Sequence, residues 1–497
     1  MTRRRRVAAA GAAALLAAVV GAGCGGSSAP PTGHAKPDAQ AAPVLPIGHH
    51  GRWLTDADGR VVLLHGMNFV SKEPGHTPAA DGFGEDDADW LVRNGFDAVR
   101  LGTTAASIMP EPGVVDTAYV KSFADTVKML TSHGLLVLVD LHQDGWGPTL
   151  GSDGFPGWMT VTHGATDTKT SFPLYYVTNP AIQAAFQSFW DNDRGPDGVP
   201  LQTDAAKIWT ALSASVAKDP GVLGYDLINE PWPGTTWQAC LQAGGCAAQD
   251  RALDAYDGRM ATAIRAQDPT HLLFPEPYTT FNFGTDPTHI GLAANDPNSG
   301  LSWHLYATDP SNEPKAIDYA KQWSARTGGA LLTSEFGAVT DVPSIDRMVD
   351  ELDGALMPWI WWAYNEEVLT DPHEAPTDAD LAQPAAVAAL VRAHPVAVAG
   401  VPTALHDDTT SGTLTFSYDT TRAGGGTFPC GTVTSLQVPR RSYPNGYHVT
   451  VTGGSVTSPA GGQDLTVVAA PGARSVTVTV LPGGSTAPAS PAAVCRG

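Results

Sequence analysis

Residues 135–144 read LLVLVDLHQD, and this stretch decides the fold class. Its near-continuous apolar run is typical of a parallel strand that is buried on both faces, and it ends in polar residues. Seven further apolar runs have the same character, and helical patterns separate them. These runs span 61–69, 96–102, 221–230, 271–277, 301–306, 330–337 and 358–365.

Eight strands that alternate with helical patterns predict an α/β protein with a closed (β/α)8 TIM barrel. The clearest helical patterns lie at 117–132, 203–218, 250–267 and 344–352. An open, doubly wound sheet is the structural alternative. Its dinucleotide-binding form requires a G-x-G-x-x-G motif after the first strand, and this chain has none at that place.

The pattern changes at residues 396–402. Beyond this point the helical periodicity is lost, and short alternating strands between Gly-rich turns predict a small C-terminal β-sandwich. We therefore predict a barrel domain at 45–395 and a sandwich domain at 396–497. The strands predicted for the sandwich are 413–418, 435–438, 448–452, 464–469 and 475–481.

Residues 1–23 have the features of an export signal. Arginines at positions 3–6 precede an apolar run that is too short to span a membrane. The GAGC motif that ends at Cys24 resembles the lipobox of bacterial lipoproteins, in which Cys24 is the lipidated residue; simple secretion is the alternative. Residues 24–44 are rich in Gly, Ser, Ala and Pro and predict a flexible linker. We expect a secreted or cell-surface protein, tethered to the bacterial membrane if Cys24 is acylated.

The net charge and the cysteine content restrict the ligands and the disulfides that the chain is expected to have. The 497-residue chain has a net charge of −21, which repels nucleic acid and anionic membranes but is compatible with neutral ligands such as sugars. Cys240 and Cys246 lie in one loop, and Cys430 and Cys495 lie in the C-terminal region, so two disulfides are expected in an exported protein. A lone Cys-x5-Cys spacing is poor evidence for zinc. We predict no metal, no cofactor and a monomer.

Two glutamates indicate the chemistry. Glu230 and Glu335 each stand where an apolar run stops and a Pro or Gly turn begins. Burying an unpaired carboxylate costs several kcal/mol, so such residues are expected to face a cleft. On two strands of one barrel, they suggest the acid/base and the nucleophile of a retaining glycosidase, with carboxyl groups about 5–5.5 Å apart.

The other strand ends also carry polar or aromatic side chains, and in a (β/α)8 barrel the active site forms at the C-terminal ends of the strands. Each of these residues also has a purely structural alternative. Arg100 is predicted to keep the nucleophile ionised, and the alternative is a structural ion pair; Trp362 is predicted to stack on a sugar, and the alternative is core packing. For Glu276, a role in the site and a structural role at the barrel rim are equally consistent with the sequence. The side chains at these ends are Asn68, Lys72, Arg100, His142, Asp144, Asn229, Glu276, His304, Tyr306, Trp362 and Tyr364.

The motifs Asn229-Glu230-Pro231 and SEFG at 334–337 resemble those of glycoside hydrolase family 5. Within that family the chain is most similar to endoglycoceramidases. The segments that carry this finer resemblance are GMNFVSK at 66–72, LHQDGW at 141–146, GYDLINEP at 224–231, HLY at 304–306, WAY at 362–364 and VAVAG at 396–400.

The resemblance implies that Glu230 is the acid/base and Glu335 the nucleophile. It also implies hydrolysis of the bond between oligosaccharide and ceramide in glycosphingolipids. A glucosylceramidase or an endo-β-1,4-glucanase with the same two glutamates is the alternative, and a non-catalytic sugar- or lipid-binding lipoprotein is a more distant one. The segment 73–87 and the pair at 366–367 depart from the family pattern. The predicted substrate-binding residues are Lys72, Arg100, His142, Asp144, Asn229, His304, Tyr306 and Trp362.

The third and fourth strands are followed by aromatic-rich connections. Such loops over a barrel mouth can line a groove for sugars or for an apolar aglycone, or they can pack against one another. The aromatic residues in question are Trp146, Phe155, Trp158, Tyr175, Tyr176, Trp232 and Trp237.

Overall fold

The computed structural model describes residues 41–242, 245–285, 287–306, 309–365, 376, 381 and 383–484, which belong to one compact unit. The predicted export signal, Cys24, most of the linker and Cys495 lie outside these residues. No helix in the described ranges is both long and apolar enough to cross a membrane.

Eight parallel strands form a barrel, as predicted. Three short strands precede them: β1 (Gly48–His50), β2 (Trp53–Thr55) and β3 (Val61–Val62). The barrel strands are β4 (His65–Val70), β5 (Ala98–Thr104), β6 (Leu136–His142), β7 (Val222–Asp226), β8 (Leu272–Phe274), β9 (Gly300–Leu305), β10 (Ala330–Phe336) and β11 (Trp359–Trp361). Their order is β8-β7-β6-β5-β4-β11-β10-β9, and a parallel bridge from Leu273 to Ser299 joins the two edges.

Helices surround the barrel, and the longer ones bury one face each. In the helix 117–132, the Asp116 side chain accepts hydrogen bonds from the first-turn backbone amides, and Phe123, Val127 and Leu130 point into the core. The connection from β8 to β9 differs from the prediction, because its described residues form only short 3-10 turns such as Thr279–Phe283. The helices are α1 (Glu85–Arg93), α2 (Ala105–Ile108), α3 (Thr117–Ser132), α4 (Tyr175–Thr178), α5 (Pro180–Trp190), α6 (Leu201–Val216), α7 (Asp250–Arg265), α8 (Glu313–Thr327), α9 (Val342–Gly354) and α10 (Pro384–Leu390).

Two antiparallel sheets follow the barrel. The seven-stranded sheet has the order β1-β2-β3-β12-β15-β18-β17, and the four-stranded sheet has the order β13-β14-β19-β16. Each strand predicted for the sandwich overlaps one of these. The strands are β12 (His394–Val398), β13 (Val401–Asp408), β14 (Thr413–Asp419), β15 (Val433–Gln437), β16 (Tyr447–Thr452), β17 (Gly454–Val456), β18 (Asp464–Ala469) and β19 (Ser475–Pro482).

The first predicted barrel strand, 61–69, is in fact two strands in two sheets. Val61 and Val62 pair with β12 of the sandwich, whereas His65–Val70 pairs with β5 and β11 in the barrel. Both pieces are fully buried, so their apolar sequence is continuous although the chain changes sheets. The N-terminal strands therefore belong to the sandwich, and the boundary placed at 396 falls inside β12.

The sandwich attaches where the barrel strands begin. The ring of His65, the first residue of β4, is stacked between the rings of Trp359 and His394 at centroid distances of 3.9 and 3.8 Å. Asp97, just before β5, accepts hydrogen bonds from the His65 backbone amide and the His394 ring. These contacts lie at the opposite end of the barrel from the C-terminal strand ends.

Candidate active site

The two glutamates meet at the C-terminal end of the barrel. Glu335 is the penultimate residue of β10, and Glu230 lies four residues beyond β7. Both are buried, with 4% and 6% of their surface exposed. A carboxylate oxygen of Glu230, one of Glu335 and a ring nitrogen of His304 lie within 4.8 Å of one another. This spacing fits the carboxyl separation of about 5–5.5 Å in a retaining glycosidase and is shorter than the separation of about 6.5–9.5 Å in an inverting one.

Glu335 accepts hydrogen bonds from Arg100 and from the Tyr306 hydroxyl. The Arg100 guanidinium donates to its Oε1, and the Tyr306 hydroxyl donates to its Oε2 at 3.0 Å. Burial raises the pKa of Glu335 above its usual value, while the positive charges of His304 and Arg100 pull that pKa back down. A cation and a hydroxyl donor thus favour the ionised form of Glu335, and the role of Glu335 as nucleophile stays a prediction.

Arg100 is the charged centre beneath the site. It is fully buried in the third position of β5, and buried acidic partners compensate its charge. Burial lowers the pKa of Arg100, but the surrounding carboxylates outweigh this effect and raise that pKa well above its usual value. Besides Glu335, its partners are Asp140 at 3.0 Å, Asp226 at 2.9 Å, Glu276 at 3.2 Å, Asn68 at 3.1 Å and Asn229 at 2.7 Å.

Glu230 has a different set of partners. Its Oε1 accepts a hydrogen bond from the Asn282 side-chain amide at 3.0 Å and lies 2.9 Å from Nδ1 of His304. Its backbone has a φ of +41°, in the left-handed region that residues other than glycine rarely adopt. The Glu230 backbone amide donates to Glu276 at 2.8 Å, and its carbonyl accepts from the Gln143 side chain at 2.9 Å. These bonds hold an otherwise unfavourable backbone conformation in place.

His304 lies among three carboxylates. Its Nδ1 is 2.9 Å from Glu230 and 3.5 Å from Glu335, and its Nε2 is 3.0 Å from Glu276. The position follows from strand register, because His304 in β9 is directly opposite Glu335 in β10. Burial lowers the pKa of His304, but the charges of Glu276 and Glu335 outweigh burial and raise that pKa well above its usual value.

A second polar group borders the glutamates. Nδ1 of His142 is 2.8 Å from Asp140, and Nε2 is 3.4 Å from Asp144. Asp144 in turn lies 3.1 Å from the Lys72 ammonium group. Burial opposes the charged form of His142, but Asp140 and Asp144 together raise its pKa to about 10. Burial would also raise the pKa of Asp144, yet Lys72 and His142 outweigh it and lower that pKa.

Two clusters of this region have the composition of metal ligands. They are His142 with Asp144 and Asp153, and Glu230 with His304 and Glu335. In each cluster a cation of the protein already faces a carboxylate: Lys72 faces Asp144, and Arg100 faces Glu335. The negative charge is therefore balanced by side chains, so these arrangements are explained without a metal ion.

The glutamates open into a cavity of about 760 Å³. Its lining combines two kinds of residue. The polar residues and the aromatic residues near them include Lys72, His142, Asp144, Asp153, Glu230, Tyr306, Glu335 and Trp362. The mainly apolar part consists of the segment 171–177, which reads SFPLYYV, together with Trp232 and Phe283. The cavity can thus hold a ligand with a polar part and an apolar part.

Of the ten residues predicted for catalysis and substrate binding, seven line this cavity. Arg100, Asn229 and His304 do not; they are buried behind it and hold the glutamates, so their direct contact with substrate stays a prediction. Trp362 lies on the cavity surface, with its ring 5.3 Å from the parallel ring of His142 and 4.6 Å from the Lys72 ammonium group. A role of Trp362 as a sugar platform likewise stays a prediction.

Several neighbours of the glutamates are not predicted from the sequence. Asp140 and Asp226 stand inside apolar runs, and an acidic residue at such a position signals a buried cation, here Arg100. Glu276 was identified as a strand-end residue without a definite role. Asn282 has no such signal, because its 3-10 turn becomes part of the site only through tertiary folding.

The aromatic residues of these loops have two different roles: some pack inside the loop, and others line the cavity. Trp146 and Phe155 stack on each other at 4.4 Å and pack inside the loop, as the alternative interpretation held. Tyr175, Tyr176 and Trp232 line the cavity instead.

One predicted disulfide is present. Cys240 is bonded to Cys246, and Trp237 on the same loop packs against Trp232 at a centroid distance of 5.6 Å. Cys430 is also disulfide-bonded. Its predicted partner Cys495 lies outside the described residues.

Known proteins resemble this chain over most of its length. Residues 55–368 match Cellulase (glycosyl hydrolase family 5), and residues 392–480 match the Glycoside hydrolase family 5 C-terminal domain. Endoglycoceramidase I of Rhodococcus hoagii (strain 103S) is 32% identical over 467 residues, which cover 90% of each chain. The Endoglycoceramidase of Hydra vulgaris is 28% identical over 432 residues, 79% of this chain and 80% of the relative.

A solved structure agrees with these relatives. Endo-glycoceramidase II from Rhodococcus sp., in a ganglioside GM3 complex, is 25% identical and superposes with a TM-score of 0.69 over 87% of this chain and 99% of that chain. The resemblance inferred from the Glu230 and Glu335 motifs is confirmed. Matches over both the barrel and the sandwich show that the chain belongs to glycoside hydrolase family 5 and is a glycosidase.

Proposed function

We propose that the protein is an endoglycoceramidase, which hydrolyses the β-glycosidic bond between the oligosaccharide and the ceramide of a glycosphingolipid and retains the anomeric configuration. The observation that carries this proposal is the lining of the cavity, which combines the carboxylate pair and other polar side chains with the apolar wall, the segment 171–177. The relatives named above support it by their own names. We propose that the enzyme acts as a monomer and without a cofactor.

The apolar wall favours a lipid aglycone over a wholly sugar ligand. Phe172 and Leu174 are 62% and 61% exposed, and Val177 is 39% exposed. Three of the eight exposed large hydrophobic side chains of the described residues thus fall within one short segment beside the catalytic pair. This segment contains no charged residue. Such clustered exposure is unfavourable in water unless an apolar ligand covers it.

The first chemical step forms a covalent intermediate. The Glu335 carboxylate, oriented by Arg100 and Tyr306, attacks the anomeric carbon. As the bond to ceramide breaks, Glu230 transfers its proton to the leaving oxygen, and ceramide departs. The sugar is then bound to Glu335 through an ester.

The second step releases the sugar. Glu230, now a carboxylate, takes a proton from water, and the resulting hydroxyl group displaces Glu335 from the anomeric carbon. The two displacements restore the original configuration at that carbon. Both glutamates return to their starting protonation states.

Hydrolysis of three substrates tests this function. Lactosylceramide, glucosylceramide and carboxymethyl-cellulose would be compared, with Glu335→Gln as the inactive control. The proposal expects intact lactose and ceramide from lactosylceramide. Glucose from glucosylceramide alone would instead identify a glucosylceramidase, and activity on the glucan alone would identify an endoglucanase.

The apolar wall is tested separately by Phe172→Ser combined with Leu174→Ser. Loss of these contacts should lower kcat/KM for lactosylceramide about 30-fold, because each of the two side chains contributes on the order of 1 kcal/mol of apolar contact. The rate on a soluble aryl β-lactoside should not change. Leu481→Ser on the sandwich is the matched control, since Leu481 is also exposed but is remote from the cavity in the chain and in the fold. An equal loss on both substrates would contradict an aglycone role for the wall.

We also propose that the protein is exported and that its N-terminal Cys24 is lipidated. The basic and apolar run before the GAGC motif supports this proposal. In the native host, the protein should fractionate with the membrane, and Cys24→Ser should release it to the medium. Membrane retention of the Cys24→Ser variant would overturn the lipid anchor.

A further inference from the structure

Glu276 contacts both the backbone and the side-chain partner of the acid/base residue. It lies just beyond β8 and is 1% exposed. Its Oε2 accepts the backbone N–H of Glu230 at 2.8 Å, and its Oε1 lies 3.0 Å from Nε2 of His304. It is not among the residues that line the cavity, so its contacts point to a role through Glu230 and His304.

This arrangement selects one protonation pattern of the His304 ring. A carboxylate at Nε2 favours a proton on that nitrogen, so Nδ1 is the nitrogen that can exchange a proton with Glu230. Nδ1 is 2.9 Å from Glu230 Oε1, which is a hydrogen-bonding distance. A carboxylate that fixes one ring nitrogen while the other faces a reacting group is a known way to orient histidine in catalysis.

We propose that Glu276 and His304 are positioning residues that control the proton on Glu230. Glu276 holds the His304 ring in one orientation and, through the backbone N–H, holds Glu230 in its left-handed conformation. The ring then stabilises the Glu230 carboxylate after it has protonated the leaving group, and the proton that Glu230 takes from water restores the starting state. The inference rests on the proposed role of Glu230 as acid/base, but it does not depend on which glycoside is the natural substrate.

Other charged groups surround Glu276 and His304, and they determine how a substitution of Glu276 changes the protonation of this pair. Burial raises the pKa of Glu276, whereas the positive charge of His304 opposes that rise. Two donors, the Glu230 N–H and Arg100, and the charge of the His304 ring 3.0 Å away favour the carboxylate form of Glu276. The remaining charged or titratable groups around the pair are Asp140, Asp226, Glu335, His142 and Tyr306.

The test is the pH profile of kcat/KM for Glu276→Gln. Glutamine keeps the size of the side chain and an acceptor for the Glu230 N–H but removes the charge that favours the protonated His304 ring. The pair should then lose its proton at lower pH, so the alkaline limb should move down by about 1–3 pH units. Glu276→Asp, which retains the charge at a longer distance, should move the limb less.

Two aryl glycosides make the measurement independent of the lipid substrate. Phenyl β-lactoside needs protonation of its leaving group, and 2,4-dinitrophenyl β-lactoside does not. At neutral pH, Glu276→Gln should lower kcat/KM about 10-fold more for the phenyl than for the dinitrophenyl substrate. Activity on aryl lactosides without activity on lactosylceramide would refute the proposed glycolipid specificity and leave this test intact.

The control is Glu313→Gln. Glu313 is equally buried and forms an ion pair with Arg347 at 2.9 Å on the outer helix α8. It should not move the alkaline limb. An unmoved limb in Glu276→Gln, with the same loss at every pH and on both substrates, would overturn the proposal and leave Glu276 a structural residue. If Glu276→Gln does not fold, an unmoved limb in Glu276→Asp would overturn it as well.

Discussion

Glu230 and Glu335 are the same residue type and lie within 4.8 Å of each other, but their surroundings differ. Glu335 accepts bonds from Arg100, whose charge is permanent, and from the Tyr306 hydroxyl. Glu230 faces a neutral donor, Asn282, and a titratable ring, His304. The surroundings of Glu335 therefore suit a lasting anion, as its proposed role of nucleophile requires. Those of Glu230 suit a group that gives up and regains a proton, as its proposed role of acid/base requires.

The backbones that carry the two residues differ as well. Glu335 lies in the regular strand β10, where register with β9 fixes its position. Glu230 lies in a loop with a left-handed φ, held by Glu276 and Gln143. The comparison shows that one carboxylate is placed by sheet geometry and the other by specific hydrogen bonds. Variants on the two sides should therefore fail in different ways.

The largest effect is expected from Glu335→Gln. Without the nucleophile no glycosyl ester forms, so kcat should fall by about 10⁴-fold or more on every glycoside, whatever its leaving group. Initial rates on phenyl and dinitrophenyl β-lactoside measure this. If the variant and the wild type had equal initial rates on either substrate, Glu335 would not be the nucleophile.

Glu230→Gln should distinguish the role of Glu230 from that of Glu335 most clearly. Loss of proton transfer should lower kcat/KM about 10²–10⁴-fold for lactosylceramide, whose leaving group needs protonation. The loss in the first step should be small for dinitrophenyl β-lactoside, which leaves without assistance. A covalent lactosyl ester on Glu335 should then accumulate, and intact-protein mass spectrometry would detect it. Absence of this leaving-group dependence would argue against Glu230 as the acid.

The surroundings of Glu230 and Glu335 were predictable from the sequence only in part. Glu230, Glu335 and Arg100 could be found because charged residues at the ends of, or inside, apolar runs must be compensated. The barrel was predictable for a related reason: buried parallel strands read as continuous apolar runs. Both inferences depend on local sequence.

The features that were missed depend on tertiary placement. Val61–Val62 and His65–Val70 are equally buried, so hydrophobicity cannot show that they belong to different sheets. The position of Asn282 beside Glu230 arises from a 3-10 turn that replaces an expected helix. The part of the wall at 171–177 that lines the cavity was likewise indistinguishable in sequence from Trp146 and Phe155, which pack inside the loop.

Tyr306→Phe sharpens the nucleophile side. It removes the hydroxyl that donates to Glu335 at 3.0 Å, and a hydrogen bond to a charged group is worth about 1.5–3 kcal/mol. We expect kcat/KM to fall about 10- to 100-fold on both aryl lactosides. Because the anion loses a donor, the pKa of Glu335 should rise further, and the acid limb of the profile should move to higher pH. Tyr225→Phe, which removes a hydroxyl bonded to the remote Asp268, is the matched control and should leave the acid limb in place.

Asn282→Ala is the counterpart on the acid/base side and should have the smallest effect. Asn282 is a neutral donor to Glu230, and such a bond is worth about 0.5–1.5 kcal/mol, so kcat/KM should fall only about 2- to 10-fold. Because the Asn282 side chain bonds Glu230 and the His304 backbone N–H but not Glu335, the loss should appear with phenyl β-lactoside and nearly vanish with the dinitrophenyl substrate. Tyr306→Phe should affect both equally. The contrary result would be that Asn282→Ala reduces the rates on both aryl lactosides to the same extent. The surroundings of Glu230 and of Glu335 would then be coupled through His304, and the distinction between a lasting anion at Glu335 and a proton-exchanging acid at Glu230 would not hold.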